Sequence, residues 1–283
     1  MSVQQNKNFN SYTDEQKKVL ELEKKYFDII YKIFYQDKFR DDLKKIMEDI
    51  NTDWEGIHKN FGKVNVIDLA VERHINFKVY SDTSLEIEDI YPSIISSDTA
   101  FVTKDAVINI DSKTNNVRSN PADWKRQTVG CNQNSFDNQS NFYTKAKGHV
   151  KITSLLKPDF YYKSKSLPVL SFFLSTLYHS DEEEGYDTWY VDSDYSEKPY
   201  NDKNKNKTQV QKEFLTNIKF ACMPHRSLSD LFESNIVDGV KTYDPPDVPN
   251  PSGTKSVRIA HESLENRYDS NGKYWKGFQS WTI

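Results

Sequence analysis

The strongest apolar run in the chain, Pro168 to Tyr178, limits what this sequence can fold into. Its apolar residues do not alternate with polar ones, so a strand built from it has both faces buried. Such a strand needs a neighbour on each side and a covering layer above and below. Helical periodicity supplies the cover. Thr13 and Gln16 form a capping-box pattern ahead of Val19, Leu22, Tyr26, Ile29, Ile30, Ile33 and Phe34, which recur at helical spacing. A second helix is predicted over Phe39 to Ile50 and a third over Val64 to Phe77. Two or three core strands with helices on either side make a mixed α/β sandwich.

Residues up to about Asn10 read as disordered, and residues 11–283 as one domain with its core at about 64–180. Lys78 to Ile90 is predicted as a loop or short edge strand, and Gly148 to Leu156 as a strand. Asn120-Pro121 should start a brief helix, and Gly130 to Asn141 a polar loop. Val210 to Ile218 is predicted helical, Lys219 to Met223 a short strand, and Ser227 to Ile236 a helix capped by Ser227.

A net charge of -4 leaves no global basic field to draw the chain onto nucleic acid, so any such binding needs a local cluster. Two cysteines, Cys131 and Cys222, are too few for a disulfide framework and point to the reduced cytosol. The start lacks a secretory pattern, and no segment approaches the roughly 18 apolar residues of a membrane span, so a cytoplasmic protein is expected.

The chemistry concentrates in one predicted hairpin. Ser96-Ser97-Asp98 leads into a β-rich Thr99 to Thr103, Lys104-Asp105 turns, and Ala106 to Ile110 runs into Asp111-Ser112-Lys113. Acid-any-Lys triplets also occur at Glu15, Glu23, Asp42 and Asp123, on predicted helices or loops where a solvated ion-pairing face accounts for them. Only the triplet at Asp111 ends an apolar β run and follows a strand headed by another acid. Asp111 and Lys113, two apart on a strand, project from one face.

Carboxylates at such a place hold Mg²⁺ in a shell that keeps several waters, and the ion stabilises phosphate charge and helps generate hydroxide. Asp98 and Asp111 are the expected ligands, with the Ser112 carbonyl, and Lys113 would orient or help deprotonate the attacking water. A hairpin with surface charges at its mouth fits the same residues, which leaves a non-catalytic binding module open. Cys222 with His225 has the spacing of a thiol-imidazole pair but no accompanying third group, and reads as a buried structural cysteine.

Ser97-Asp98, twelve residues, then Asp111-Ser112-Lys113 resembles the bipartite core of the PD-(D/E)XK nucleases, with Ser97 where proline is usual. The wider run, followed by Val129-Gly130-Cys131-Asn132-Gln133-Asn134-Ser135, resembles the type II restriction endonucleases, some of which carry a Gly-Pro-Asn-Gln-type segment after the catalytic lysine. Cys131 stands where that proline is expected. The resemblance implies a restriction-endonuclease-like α/β fold, with a mixed central sheet flanked by helices. It further implies Mg²⁺-dependent hydrolysis of double-stranded DNA at a short specific sequence, 5′ phosphate products and a homodimer. A non-specific, repair or phage nuclease of the same fold is the alternative within enzymes.

By the same resemblance Glu72, on a helix ahead of the hairpin, completes the metal shell or orients a water. Asn132, Gln133 and Ser135 become candidate DNA contacts, since side-chain amides pair bidentately with adenine, while Asn132 and Gln133 read equally as turn residues. Lys125, Arg126, Lys145 and Lys147 after the hairpin, and Arg258, His261, Arg267 and Lys273 in the tail, are the candidate basic contacts.

Overall fold

A computed structural model of the chain describes residues 8–52, 66–91, 97–116, 126–136, 142–144, 148–150, 154–180, 189–191, 197–199, 208–210, 213–232, 237–242 and 255–282. The predicted helix at Asn120-Pro121 lies outside these residues.

Three helices lead. Helix α1 spans Asp14–Tyr35 and starts at the predicted capping box, in which the Thr13 side chain accepts from the Gln16 N–H and Gln16 Oε1 accepts from the Thr13 N–H. Helix α2 is Asp37–Thr52 and α3 is Val66–Ser81, so α3 continues four residues past its predicted end. Order also begins before Ser11: a 3-10 turn at Phe9–Ser11 sets the Phe9 ring against Tyr12 and Tyr268.

The strands that matter for the site are β1 (Asp89–Ile90), β2 (Thr99–Val102), β3 (Val107–Asn116), β4 (Arg126–Gly130), β5 (Asp159–Tyr162), β6 (Lys165–Ser180) and β7 (Glu213–Met223). They are followed by β8 (Val237–Thr242), β9 (Lys255–Ala260), the short helix α4 (His261–Glu265), β10 (Asn266–Tyr268), β11 (Tyr274–Lys276) and β12 (Phe278–Thr282). The central sheet has seven strands in the order β1-β2-β3-β6-β7-β12, with β5 also paired to β6. It is mixed: β3 and β6 are parallel, and every other pairing in it is antiparallel.

The apolar run is the middle of β6, and Leu170, Phe172, Phe173 and Leu174 on it are buried. One face of the sheet is closed by the helices. Phe27 of α1 stacks on Phe220 of β7 at 4.8 Å, Phe172 lies 5.7 Å from that ring, and Ile108 and Ile110 of β3 join the same core. The other face of the hairpin carries a smaller cluster of Ala100, Val102, Val107, Leu167 and Val169.

Two expectations fail in the C-terminal half. Val210 to Ile218 is not helical: β7 begins at Glu213, runs through to Met223, and pairs with β6 on one side and β12 on the other. A register shift between Leu215 and Asn217 breaks the two-residue alternation there, which is why the apolar spacing mimics a helix. Ser227 caps no long helix. A 3-10 turn covers Arg226–Leu228 only, and its cap is the His225 side chain, which accepts from the Ser227 N–H.

The C-terminal strands are tied to α1 by a buried ion pair between Glu23 and Arg267, both fully buried. Glu23 also accepts the His225 backbone N–H at 2.7 Å, and Arg267 donates to the Cys222 carbonyl at 3.3 Å. The guanidinium lies over Phe232 and Trp275. Gly277 passes so close to the Arg267 stem that a Cβ there would collide with it.

Candidate active site

Hairpin length sets the geometry of the acids. Val102 pairs with Val107, and the Thr103 N–H donates to the Ala106 carbonyl at 2.9 Å, which closes a four-residue turn. Ala100 therefore faces Asn109, and continuing that register by two residues puts Asp98 opposite Asp111. Helix α1 clamps the turn. Lys25 Nζ lies 2.7 Å from Asp105 Oδ2, and the Tyr26 hydroxyl bonds to Thr103 Oγ1 at 2.7 Å and to Asp105 Oδ1.

Strand β3 does not end at the triplet. It continues to Asn116 because β6 supplies partners along its length, from Val107 opposite Val169 to Asn116 opposite Tyr178. Asp111 and Lys113 thus sit within a strand bonded on one side to β6, in the interior of the sheet. Their face is opposite to that of Ile108 and Ile110.

Asp111 is 1% exposed and lies between two nitrogens: Lys113 Nζ is 2.5 Å from Oδ2, and Gln133 Nε2 donates to Oδ1 at 2.5 Å. The Lys113 side chain is about one-third exposed, so it reaches from the buried acid to the surface. Asp98 Oδ2 accepts the Ser112 backbone N–H at 2.5 Å, which fixes the first acid to the strand that bears the second. Burial pushes the Asp111 carboxyl up to about 7, against the pull of Lys113 and with a further push from Asp98 and Glu72. Glu72, on α3, is also raised, by partial burial and then by Asp98. The three acids share one electrostatic field.

This donor set fits a divalent ion. Asp111 Oδ2 is buried and makes no hydrogen bond, although the ammonium is beside it. The Lys113 ammonium already stabilises charge on that oxygen, and a divalent ion would add to it. Among the described residues no group of three or more His, Cys, Asp and Glu side chains could hold an ion unaided. Mg²⁺ commonly takes one or two carboxylates and keeps waters or phosphate oxygens for the rest of its shell, which Asp98, Asp111 and the Ser112 carbonyl would allow.

The crossover between parallel β3 and β6 brings β4 and the turn after it onto the Asp111 face. Gln127 accepts from the Ser175 hydroxyl at 3.2 Å, and Ser175 is the β6 partner of Lys113. β4 pairs with β9, and β9 with β8, in a second antiparallel sheet. Arg258 stands opposite Thr128 and Ala260 opposite Arg126, so Arg126 and Arg258 share one face of it, both half-buried.

Other candidate contacts are placed differently. Arg267 is buried against Glu23, so its charge is not offered to phosphate. Ser135 is buried too: its hydroxyl accepts the Arg226 N–H at 3.2 Å and its carbonyl accepts Arg226 Nε at 3.0 Å. His261 is buried and stacked on Phe278 at 4.5 Å. Asn132 is half-buried beside Gly130, and Lys273 is exposed. Lys125, Lys145 and Lys147 lie outside the described residues. Cys222 is fully buried, its thiol pushed well up by burial and then by Glu23, which leaves it inert.

The fold is that of a restriction endonuclease. It is similar to the crystal structure of the restriction endonuclease BglI bound to its DNA recognition sequence, with a TM-score of 0.55 and 14% identity over 97% of this chain and 94% of that one. It also matches the tetrameric restriction endonuclease SfiI bound to cognate DNA, with a TM-score of 0.43 and 13% identity over 87% and 85% of the two chains. No curated protein matches. The chain belongs to the family described as type II restriction enzyme MwoI, N-terminal domain, whose model matches residues 15–182. It is thereby a type II site-specific nuclease. The match covers the N-terminal helices, the hairpin, the Gln133 turn and the whole of β6.

Proposed function

We propose that the protein is a Mg²⁺-dependent restriction endonuclease that hydrolyses phosphodiester bonds of double-stranded DNA at a short specific sequence and leaves 5′ phosphates. The observation that carries this reading is the Asp98 carboxylate held on the Ser112 N–H, next to Asp111, with Lys113 Nζ 2.5 Å from the buried acid.

Asp98, Asp111 and the Ser112 carbonyl would hold the ion, and Glu72, which feels the charge of Asp98, would orient a water. When bound, Mg²⁺ supplies charge stabilisation at the phosphate and a more acidic water. Lys113, with its Nζ 2.5 Å from Asp111 and its side chain about one-third exposed, would orient the attacking water and offset charge on the scissile phosphate. Asp98 is kept rigid by the Ser112 N–H, so it can present a carboxylate with little reorganisation. Arg126 and Arg258 share a face on the adjoining sheet and are the candidates for phosphate or base contacts. With a palindromic target, a homodimer would match the two-fold symmetry of the DNA.

Asp98→Asn and Asp111→Asn should each abolish cleavage while leaving DNA binding largely intact. Either variant cutting at the wild-type rate would show that the site has been misassigned.

A further inference from the structure

The hydrogen bonds around Gln133 assign it a task other than reading bases. We infer that Gln133 is a positioning residue: its amide holds Oδ1 of Asp111 and leaves Oδ2 as the oxygen turned to the site. This rests on the reading of Asp111 as a metal ligand.

Gln133 is fixed at four points. The Gly130 N–H donates to Oε1 at 2.8 Å, which settles the orientation of the amide and turns Nε2 to Asp111. The Gln133 N–H donates to the Gly130 carbonyl at 3.0 Å, and the Gln133 carbonyl accepts Asn109 Nδ2 at 2.9 Å. Asn109 is fully buried two residues before Asp111, on the same strand and face. The side chain and backbone of Gln133 are therefore both anchored to the strand that carries the acid. Gly130 makes the approach possible, since a Cβ there would stand 2.8 Å from both Gln133 Oε1 and Asn132 Oδ1.

Reading adenine with a glutamine needs the amide oxygen and nitrogen together. Here both ends are engaged inside the protein, so a base contact would have to break the clamp on Gly130 and release Asp111. Partners that orient a metal ligand typically change metal affinity or activity by about 10–100-fold when removed.

Gln133→Met keeps the length of the side chain and removes both its donor and its acceptor. Its Ca²⁺ affinity by calorimetry without DNA, its kcat and KM at varied Mg²⁺, and its fragment pattern on a sequenced plasmid form the test. The expected result is a loss of about 10–100-fold in Ca²⁺ affinity and kcat, with the KM for DNA and the sites cut unchanged. Unchanged Ca²⁺ affinity and kcat, with a raised KM or relaxed cutting, would overturn the inference in favour of base reading. Gln133→Glu retains an acceptor for the Gly130 N–H but replaces the donor to Asp111 by a second carboxyl, which repels it. It should lose kcat to a similar extent, and wild-type kcat in this variant would also overturn the inference. Asp111→Asn assayed alongside separates the two levels. If it cuts normally, the site reading fails; if it is inactive while both Gln133 variants are wild-type, only the role of Gln133 fails.

Discussion

Replacing Asp111 by asparagine should make the metal-free protein more stable at neutral pH while it destroys the activity. In the fold the carboxyl is raised from 3.8 to about 7 by burial, with Lys113 pulling down and Asp98 pushing up. Below about pH 4 the group is protonated in folded and unfolded chains alike, and it contributes no difference. Between about pH 4 and 7 the unfolded chain releases the proton and the folded chain keeps it, so wild-type stability falls as pH rises. Each unit corresponds to about 1.4 kcal/mol, and the shift of about three units corresponds to at most about 4 kcal/mol. Asparagine at this position has no proton to retain. Urea unfolding in EDTA at pH 4 to 8 measures the effect. The stability of Asp111→Asn relative to wild type should grow across that window and level off above pH 7. Saturating Ca²⁺ should restore much of the wild-type stability, because an ion that binds only the folded state stabilises it. A difference that is the same at every pH, or a variant less stable than wild type at pH 8, would refute the reasoning that burial holds the proton on Asp111.

Arg267→Met should leave Glu23, whose carboxyl burial already raises, without its partner in the core and cost about 3–5 kcal/mol in urea unfolding, with DNA affinity per folded molecule and its salt dependence unchanged. A normal stability with weakened, less salt-sensitive DNA binding would instead make Arg267 a phosphate contact. Tyr26→Phe removes the hydroxyl bonded to Thr103 and Asp105 and should cost about 1–2 kcal/mol. The Asp105 carboxyl, pushed up by burial but pulled lower overall by Lys25 and Tyr26, contributes stability above its ordinary range and loses it on acidification. The Tyr26→Phe deficit measured at pH 6 should therefore shrink below about pH 4; a deficit constant with pH would separate the hydroxyl from the carboxylate. Lys113→Ala should reduce kcat by orders of magnitude with DNA binding retained, and equal losses in kcat and DNA affinity would assign Lys113 to ground-state binding.

The hairpin was legible because its signals are local. Two β-rich runs around Lys104-Asp105 define the turn, and a turn of that length fixes which residues of the two strands face each other. The helices at α1 and α2 were legible from periodicity and from the cap at Thr13. β7 was not, because a bulge disturbs its alternation and its burial comes from β6 and β12, far away in sequence. The polar end of β3, Thr114 to Asn116, carries no strand signal of its own and is held by pairing with β6. The site shows the same division. Asp98, Asp111 and Lys113 share one hairpin, whereas Gln133 reaches Asp111 only through the crossover, and its amide looks the same in sequence whether it faces a base or a carboxylate. Arg267 misled for a similar reason: its partner Glu23 is 244 positions away, so nothing near it in sequence marks it as buried.

Digestion of a sequenced plasmid with Mg²⁺, by wild type and by Asp111→Asn in parallel, tests the central claim most directly. Discrete fragments from the wild type, none from the variant and none with EDTA are the predicted result. A smear would contradict specific cleavage, and equal fragmentation by the variant would contradict the assignment of the site to Asp111.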